Sequence, residues 1–273
     1  MEVYFKFWFL QFITLCLVLV TGLFNPSLAT GPVHSDSTES KTQISPDLFA
    51  LLLNVSDEIT PSEHEVLQQD LNKFVAKLAR KQKRSRSQKR FVKHLFYKVH
   101  NRYLDNYSQH ADFYELLDEG SYDCITGTAF YALVLDALEI DYTIKELPYH
   151  VYLMVETEDT EQRLLLESTD PMSGFVSRSE TIKERIAAYR QDQLSDLDSH
   201  YQYGFEIDEE IDLPKLAGLS YYNEAIEHYN AQNLDQASKF LAKARSHYPG
   251  KRMEALQTLI EQVARQQIAS SDR

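Results

Sequence analysis

Cysteine is nearly missing from this chain: two residues in 273, Cys16 and Cys124. Cys16 falls within an apolar N-terminal run. A chain that loses that run keeps one thiol and has no internal disulfide. Glycine and proline are also scarce, eight of each, which disfavours a loop-rich scaffold and favours helices with compact connections. Positive charge is in deficit, with 28 Lys and Arg against 41 Asp and Glu for a net −13. Such a chain repels a phosphate backbone, so nucleic acid is not expected as a partner. No His and Cys cluster has metal-ligand spacing and no glycine-rich phosphate loop occurs, so no metal and no other cofactor is expected.

What is present is a globular composition, 43% hydrophobic and 25% charged, in a chain long enough for one ordinary core and a small appendage. After Lys6 comes an apolar run from Phe7 to Phe24, then Pro26-Ser27-Leu28-Ala29 with small residues at the two positions a signal peptidase reads. Residues 1–29 therefore read as a secretory signal peptide. The chain is expected to be secreted or periplasmic, with no membrane contact once the leader is removed. The alternative is an uncleaved anchor, because the run approaches the ~18 apolar residues that span a bilayer. Residues 30–46 are polar and read as a linker.

Thr60-Pro61-Ser62-Glu63 carries a helix start: a threonine cap, a proline in the first turn and a glutamate three residues after the cap. Val66, Leu67, Leu71, Phe74, Val75 and Leu78 follow at helical spacing. The basic run Lys81 to Arg90 ends this helix and reads as a solvated connection, against the sharper reading of a patch for anionic lipid or polysaccharide. A second helix starts near Gln88. A short helical turn is expected at 113–117, and a strong helix from Cys124 to Leu138. Strands are expected at 142–146, 150–156 and 163–169, the last two joined by a polar hairpin loop at 157–162. A helix from Ser179 to Tyr189 and an acidic, irregular stretch to Asp212 follow. Residues 214–267 read as purely helical. Asn54-Val55-Ser56 and Asn106-Tyr107-Ser108 match short glycosylation acceptors.

Three residues in this order carry chemistry. A thiol attacks acyl groups as thiolate, so it needs a base or a field that lowers its pKa. Cys124 stands in the first turn of its helix behind a capping Asp123, where the helix dipole favours negative sulfur and the Asp123 charge opposes it. His150 opens a strand at a sheet rim. With the hairpin centred near Thr160, residue 150 opposes 170, 152 opposes 168 and 154 opposes 166, which sets Asp170 beside His150 as the orienting carboxylate. A one-residue slip puts Glu167 in that role instead. Taken singly, each of the three fits an ordinary structural role; their joint order is what points to a triad.

Gly120-Ser121-Tyr122-Asp123-Cys124, Thr128-Ala129, Pro148-Tyr149-His150-Val151-Tyr152-Leu153 and Glu167-Ser168-Thr169-Asp170-Pro171 resemble the motifs of the transglutaminase-like superfamily over roughly residues 88–175. The resemblance implies a papain-like α+β fold, with a central helix packed on a small antiparallel sheet. It also implies a nucleophile at Cys124, a general base at His150 and an orienting carboxylate at Asp170. Two family features are missing: a tryptophan near the nucleophile or in the histidine strand, since Trp8 is in the leader, and a glutamine a few residues before Cys124. The backbone N–H of Cys124 supplies one oxyanion donor, and Tyr122 is the candidate for the second. Tyr221, Ala225, His228, Ala237, Leu241, Ala244 and Pro249 resemble a single tetratricopeptide repeat, with Glu224 in place of the usual leucine.

The expected organisation is thus N-terminal helices and a transglutaminase-like domain over 47–212, then a C-terminal helical pair over 213–273. One repeat cannot bury its own face, so the pair is expected to pack on the rest of the chain or on a protein partner. The expected function is thiol attack on an amide or ester carbonyl of a peptide or protein substrate, with release by water (a peptidase or amidase) expected over transfer to an amine (cross-linking). The alternative is a non-catalytic module that holds a peptide or protein in its cleft or on its C-terminal helices.

Overall fold

The computed structural model describes residues 42–55, 59–157, 162–196 and 208–271. The leader, most of the linker, Ser56 of the first glycosylation pattern and the tip of the hairpin loop lie outside the described residues. The described residues belong to one compact unit, Ser40–Arg273.

The N-terminal third is helical for local reasons. Ser45 caps α1 (Pro46–Leu53), accepting from the Leu48 N–H. Thr60 and Glu63 form the expected reciprocal capping box at the head of α2 (Pro61–Gln82). The basic run ends that helix, and α3 (Gln88–Tyr103) returns. The faces of α2 and α3 that carry Phe74, Val75, Phe91, Leu95, Phe96 and Val99 are buried. Then come β1 (Asn106–Tyr107), α4 (Phe113–Asp118) and β2 (Ser121–Tyr122). β1 pairs with β2 in parallel.

Next is α5 (Cys124–Ala137), buried along nearly its whole length. A helix apolar all round belongs in the middle of a core, and α5 packs on β3 (Tyr142–Leu147) and β4 (His150–Glu156). The five-stranded sheet is antiparallel, in the order β6-β5-β4-β3-β7. Its other members are β5 (Arg163–Leu166), β6 (Phe175–Val176) and β7 (Glu209–Ile211). Val151, Leu153, Val155, Leu164 and Leu166 join the main core. Tyr152, Met154 and Leu165 join a second cluster with Ile182, Ile186 and Tyr189 of α6 (Ser179–Asp196). The fold is α+β, helices around one small antiparallel sheet.

Two expectations on the sheet are corrected. Leu153 pairs with Leu166 and Glu156 with Arg163, one residue off the expected register, and β5 ends at Leu166 rather than Thr169. Residues 164–166 are apolar towards both faces, so alternation could not fix the register. The acidic stretch after 189 is not wholly irregular: α6 runs to Asp196, and β7 adds an edge strand beside β3.

The C-terminal segment forms three helices rather than a pair: α7 (Leu213–Asn230), α8 (Leu234–His247) and α9 (Lys251–Ser271). Gln232 takes a left-handed turn before Asn233 caps α8, and Tyr248-Pro249-Gly250 separates α8 from α9. Tyr221, Phe240, Leu241, Met253, Leu256 and Ile260 from these helices belong to the same core as α5, so the repeat-like face is covered by the rest of the chain. No helix among the described residues is long and apolar enough to cross a membrane.

Candidate active site

Cys124 is the first residue of α5. Asp123 caps that helix by accepting from the Thr126 N–H at 2.8 Å, while the Thr126 hydroxyl accepts from the Asp123 N–H at 3.0 Å. The reciprocal cap fixes where the helix begins, and with it the position of the thiol. Cys124 is partly exposed. Desolvation around the sulfur, followed by the negative charges of Asp123 and Glu167, pushes the thiol far up, while the N–H groups of Val151 and of Cys124 itself pull the other way. These surroundings favour the neutral thiol over the thiolate.

His150 opens β4. Its Nε2 lies 2.5 Å from Glu167 Oε2, and its ring packs on Tyr189 with centroids 4.7 Å apart. Glu167 is buried and also accepts from the Thr169 N–H at 3.0 Å, the Thr169 hydroxyl at 2.7 Å and the Tyr189 hydroxyl at 2.8 Å. Burial alone raises a carboxyl's pKa. Here the bonds and charge of His150, with those of Thr169, outweigh burial and hold Glu167 below the usual carboxylate range.

Asp170 is elsewhere. It pairs with Arg185 at 2.7 Å and accepts from the Ser173 N–H at 2.8 Å. The structure therefore joins His150 to Glu167, not to Asp170. The expected 150/170 pairing fails because residues 167–170 have left the strand and turn back, closed by the Gly174 N–H donating to the Asp170 carbonyl.

Cys124 and His150 line one cavity of about 380 Å³. No hydrogen bond joins the thiol to the ring among the described residues; the N–H of Val151, the residue after His150, acts on the sulfur and favours its thiolate. Tyr122, the candidate oxyanion donor, is buried and does not line the cavity, whereas Gln109 does. The opposite wall is α7. Leu219, Asn223, Ile226 and Asn230 line it at the i, i+4, i+7, i+11 spacing of one helix face. His110 reaches Glu227 of α7 at 2.9 Å. On the other side, Arg252 of α9 donates to the Pro148 carbonyl at 3.0 Å and meets Glu146 at 3.1 Å.

Sequence reasoning does not single out Tyr189, Thr169 or the α7 wall. For Tyr189 a signal exists: Ile182, Ile186 and Tyr189 fall on one face of α6. For α7 there is none, because nothing in the order of residues says which helix closes a cavity. No protein-family model, curated protein or solved structure matches the chain.

Proposed function

We propose that the protein is a thiol hydrolase of the transglutaminase-like type, acting on amide bonds of a peptide or protein outside the cytoplasm. Cys124 is the nucleophile, His150 the base and Glu167 the orienting carboxylate in place of Asp170. One observation carries this reading: His150 is tethered through Nε2 to a buried carboxylate, leaving Nδ1 without a partner among the described residues, in the cavity that Cys124 also lines. A carboxylate on one nitrogen fixes the tautomer that makes the other nitrogen basic.

Surroundings that favour the neutral thiol call for a proton that moves during attack. Cys124 Sγ–H gives its proton to His150 Nδ1 as sulfur bonds to the carbonyl carbon, and the negative charge passes to the carbonyl oxygen. The imidazolium, stabilised by Glu167, then protonates the leaving amine, and a thioester remains. Water, deprotonated by His150, attacks the thioester, releasing the acid and restoring the thiol. The contact between Sγ and the ring tightens on substrate binding, as such contacts do in unliganded enzymes. The side-chain amides of Asn223 and Asn230 make no hydrogen bond with a described residue. They lie about 10 Å apart along α7, close to the span of three extended residues, which suits a peptide main chain.

The second reading, a non-catalytic module, is favoured by the raised thiol pKa and the missing Sγ–ring hydrogen bond. Iodoacetamide labelling from about pH 5 to about pH 9 separates the two. The enzyme reading expects native labelling near neutral pH that falls at least about tenfold in His150→Ala, falls in part in Glu167→Gln and is unchanged in Asp170→Asn. It also expects a thioester adduct on Cys124, seen by intact mass with activated peptide esters. Equal labelling of wild type and His150→Ala, or labelling only in denaturant, establishes the module instead.

A further inference from the structure

The chain's positive charge is concentrated in one place. Twelve of the 28 Lys and Arg residues lie between Lys73 and Arg102, a stretch without a single Asp or Glu. The rest of the chain carries 16 against 41 acidic residues, a net −25. In sequence only the connection at 81–90 stands out. The structure adds the two helices that it joins.

Lys73, Lys77 and Lys81 repeat every four residues on α2, and His94, Lys98 and Arg102 do the same on α3, so each set forms a row on one helix face. Between the helices is a groove of about 260 Å³ lined by Lys77, Lys81, His94, Lys98 and Arg102, with Phe74 and Leu78 among its walls. Arg102 pairs with Asp70 at 2.7 Å. None of the other eleven cations makes an ion pair with a described residue. Lysines 77, 81 and 98 are exposed. Burial first, then the charges of Lys81 and Lys98, pushes the His94 pKa down.

We propose that the α2–α3 hairpin is a docking surface for an anionic phospholipid membrane, with lipid phosphates seated between the two basic rows. This replaces the expectation of a merely solvated connection and of no membrane contact after the leader. It does not rest on the proposed enzyme activity. A lipid surface is favoured over a polyanionic glycan because the cations spread over two helices and their connection, and because the groove has apolar walls that suit the upper part of an acyl chain. The acidic remainder is repelled by the same surface, so the field orients the molecule with the hairpin towards the lipid.

The test is co-sedimentation of residues 40–273, the compact unit, with vesicles of phosphatidylcholine alone or with about 30 mol % phosphatidylglycerol. Binding is expected only to the anionic vesicles, and is expected to weaken at least about tenfold between about 0.1 M and about 0.5 M salt. Lys77→Gln/Lys81→Gln/Lys98→Gln is expected to lose at least about tenfold in partitioning with an unchanged circular dichroism melt. A triple variant with the same charge change elsewhere, Lys239→Gln/Lys243→Gln/Lys251→Gln, is expected to keep it. Equal binding to both vesicle types, or equal loss in the two triple variants, overturns the proposal. So does retention on heparin without vesicle binding, which identifies a glycan site. Displacement by inorganic phosphate, but not by chloride at equal ionic strength, identifies a free-anion pocket and also overturns it.

Discussion

At the residue scale, His100 shows how a buried polar group holds the site from behind. It is almost fully buried in α3. Its Nε2 lies 2.9 Å from the Ser168 carbonyl, so an Nε2–H donates there, and its ring packs on Phe96 at 4.5 Å. Ser168 stands between Glu167 and Thr169, and this bond fixes the backbone that carries both. Burial is the main influence on His100 and pushes its pKa down, against the Ser168 and Phe96 carbonyls and the charges of Asp170 and Glu167. A histidine whose folded pKa is depressed contributes stability that is complete above its unfolded value, about 6.5. That stability is lost as pH falls from there towards the folded value, with a slope of at most about 1.4 kcal/mol per pH unit. Between about pH 6.5 and about pH 5 the urea midpoint of His100→Gln, which keeps a donor for Ser168, is therefore expected to fall less with falling pH than that of the wild type; Glu146 and Asp123, whose raised pKa values act in the opposite sense, are present in both. His94 is present in both proteins and cancels. Glu167 and Asp170 act in a separate window: their depressed pKa values contribute stability that is present above about pH 4.5 and lost below it. Identical slopes in wild type and variant exclude His100 as the source.

At the element scale, the turn from Glu167 to Gly174 decides which carboxylate meets His150. The Gly174 carbonyl accepts from the Glu167 N–H at 2.9 Å, and the Gly174 N–H donates to the Asp170 carbonyl at 2.8 Å. A Cβ on Gly174 would stand 2.2 Å from the Glu167 carbonyl oxygen and 2.5 Å from that of Asp170. Both are backbone atoms, so no side chain can swing aside. Gly174→Ala is expected to cost about 3 kcal/mol or more and to slow Cys124 labelling with it. Gly250→Ala meets nothing within 4 Å and is expected to cost less than about 1 kcal/mol. Thermal melts compare the two, and equal melting temperatures would remove the turn from the account. This turn was not legible in the sequence, and the starts of α2 and α5 were. Thr60 with Glu63, and Asp123 ahead of Cys124, mark helix starts through bonds made within four residues. The strand ends depend on partners far along the chain. Leu164, Leu165 and Leu166 bury both faces of β5 and leave no alternation to read, and β7 is three residues long. Glu167 and Asp170 are both carboxylates three residues apart, and only the register and the Arg185 side chain separate their roles.

At the scale of the whole molecule, the C-terminal helices are bound to the sheet through one buried carboxylate. Glu146 of β3 is 1% exposed. It accepts from the Tyr248 hydroxyl at 2.6 Å and meets Arg252 at 3.1 Å. Arg252 also lies over the Tyr222 ring, 5.6 Å from its centroid. Burial pushes the Glu146 pKa up, and Arg252 and Tyr248 pull it back. Because the Pro148 carbonyl is bound by the same guanidinium, the clamp also holds the turn that leads into His150. Arg252→Ala leaves the carboxylate buried without its cation, at an expected cost of about 3–5 kcal/mol. One core runs from α1 to α9, so that cost is expected to shift a single unfolding transition rather than split it. Glu146→Gln removes the charge that Arg252 compensates. The double variant Glu146→Gln/Arg252→Ala is therefore expected to be less destabilised than the two single losses added together. Urea unfolding of the four proteins measures the coupling. An additive result, or a loss below about 1 kcal/mol for Arg252→Ala as at an exposed pair, would mean that the helices are held by apolar contact alone.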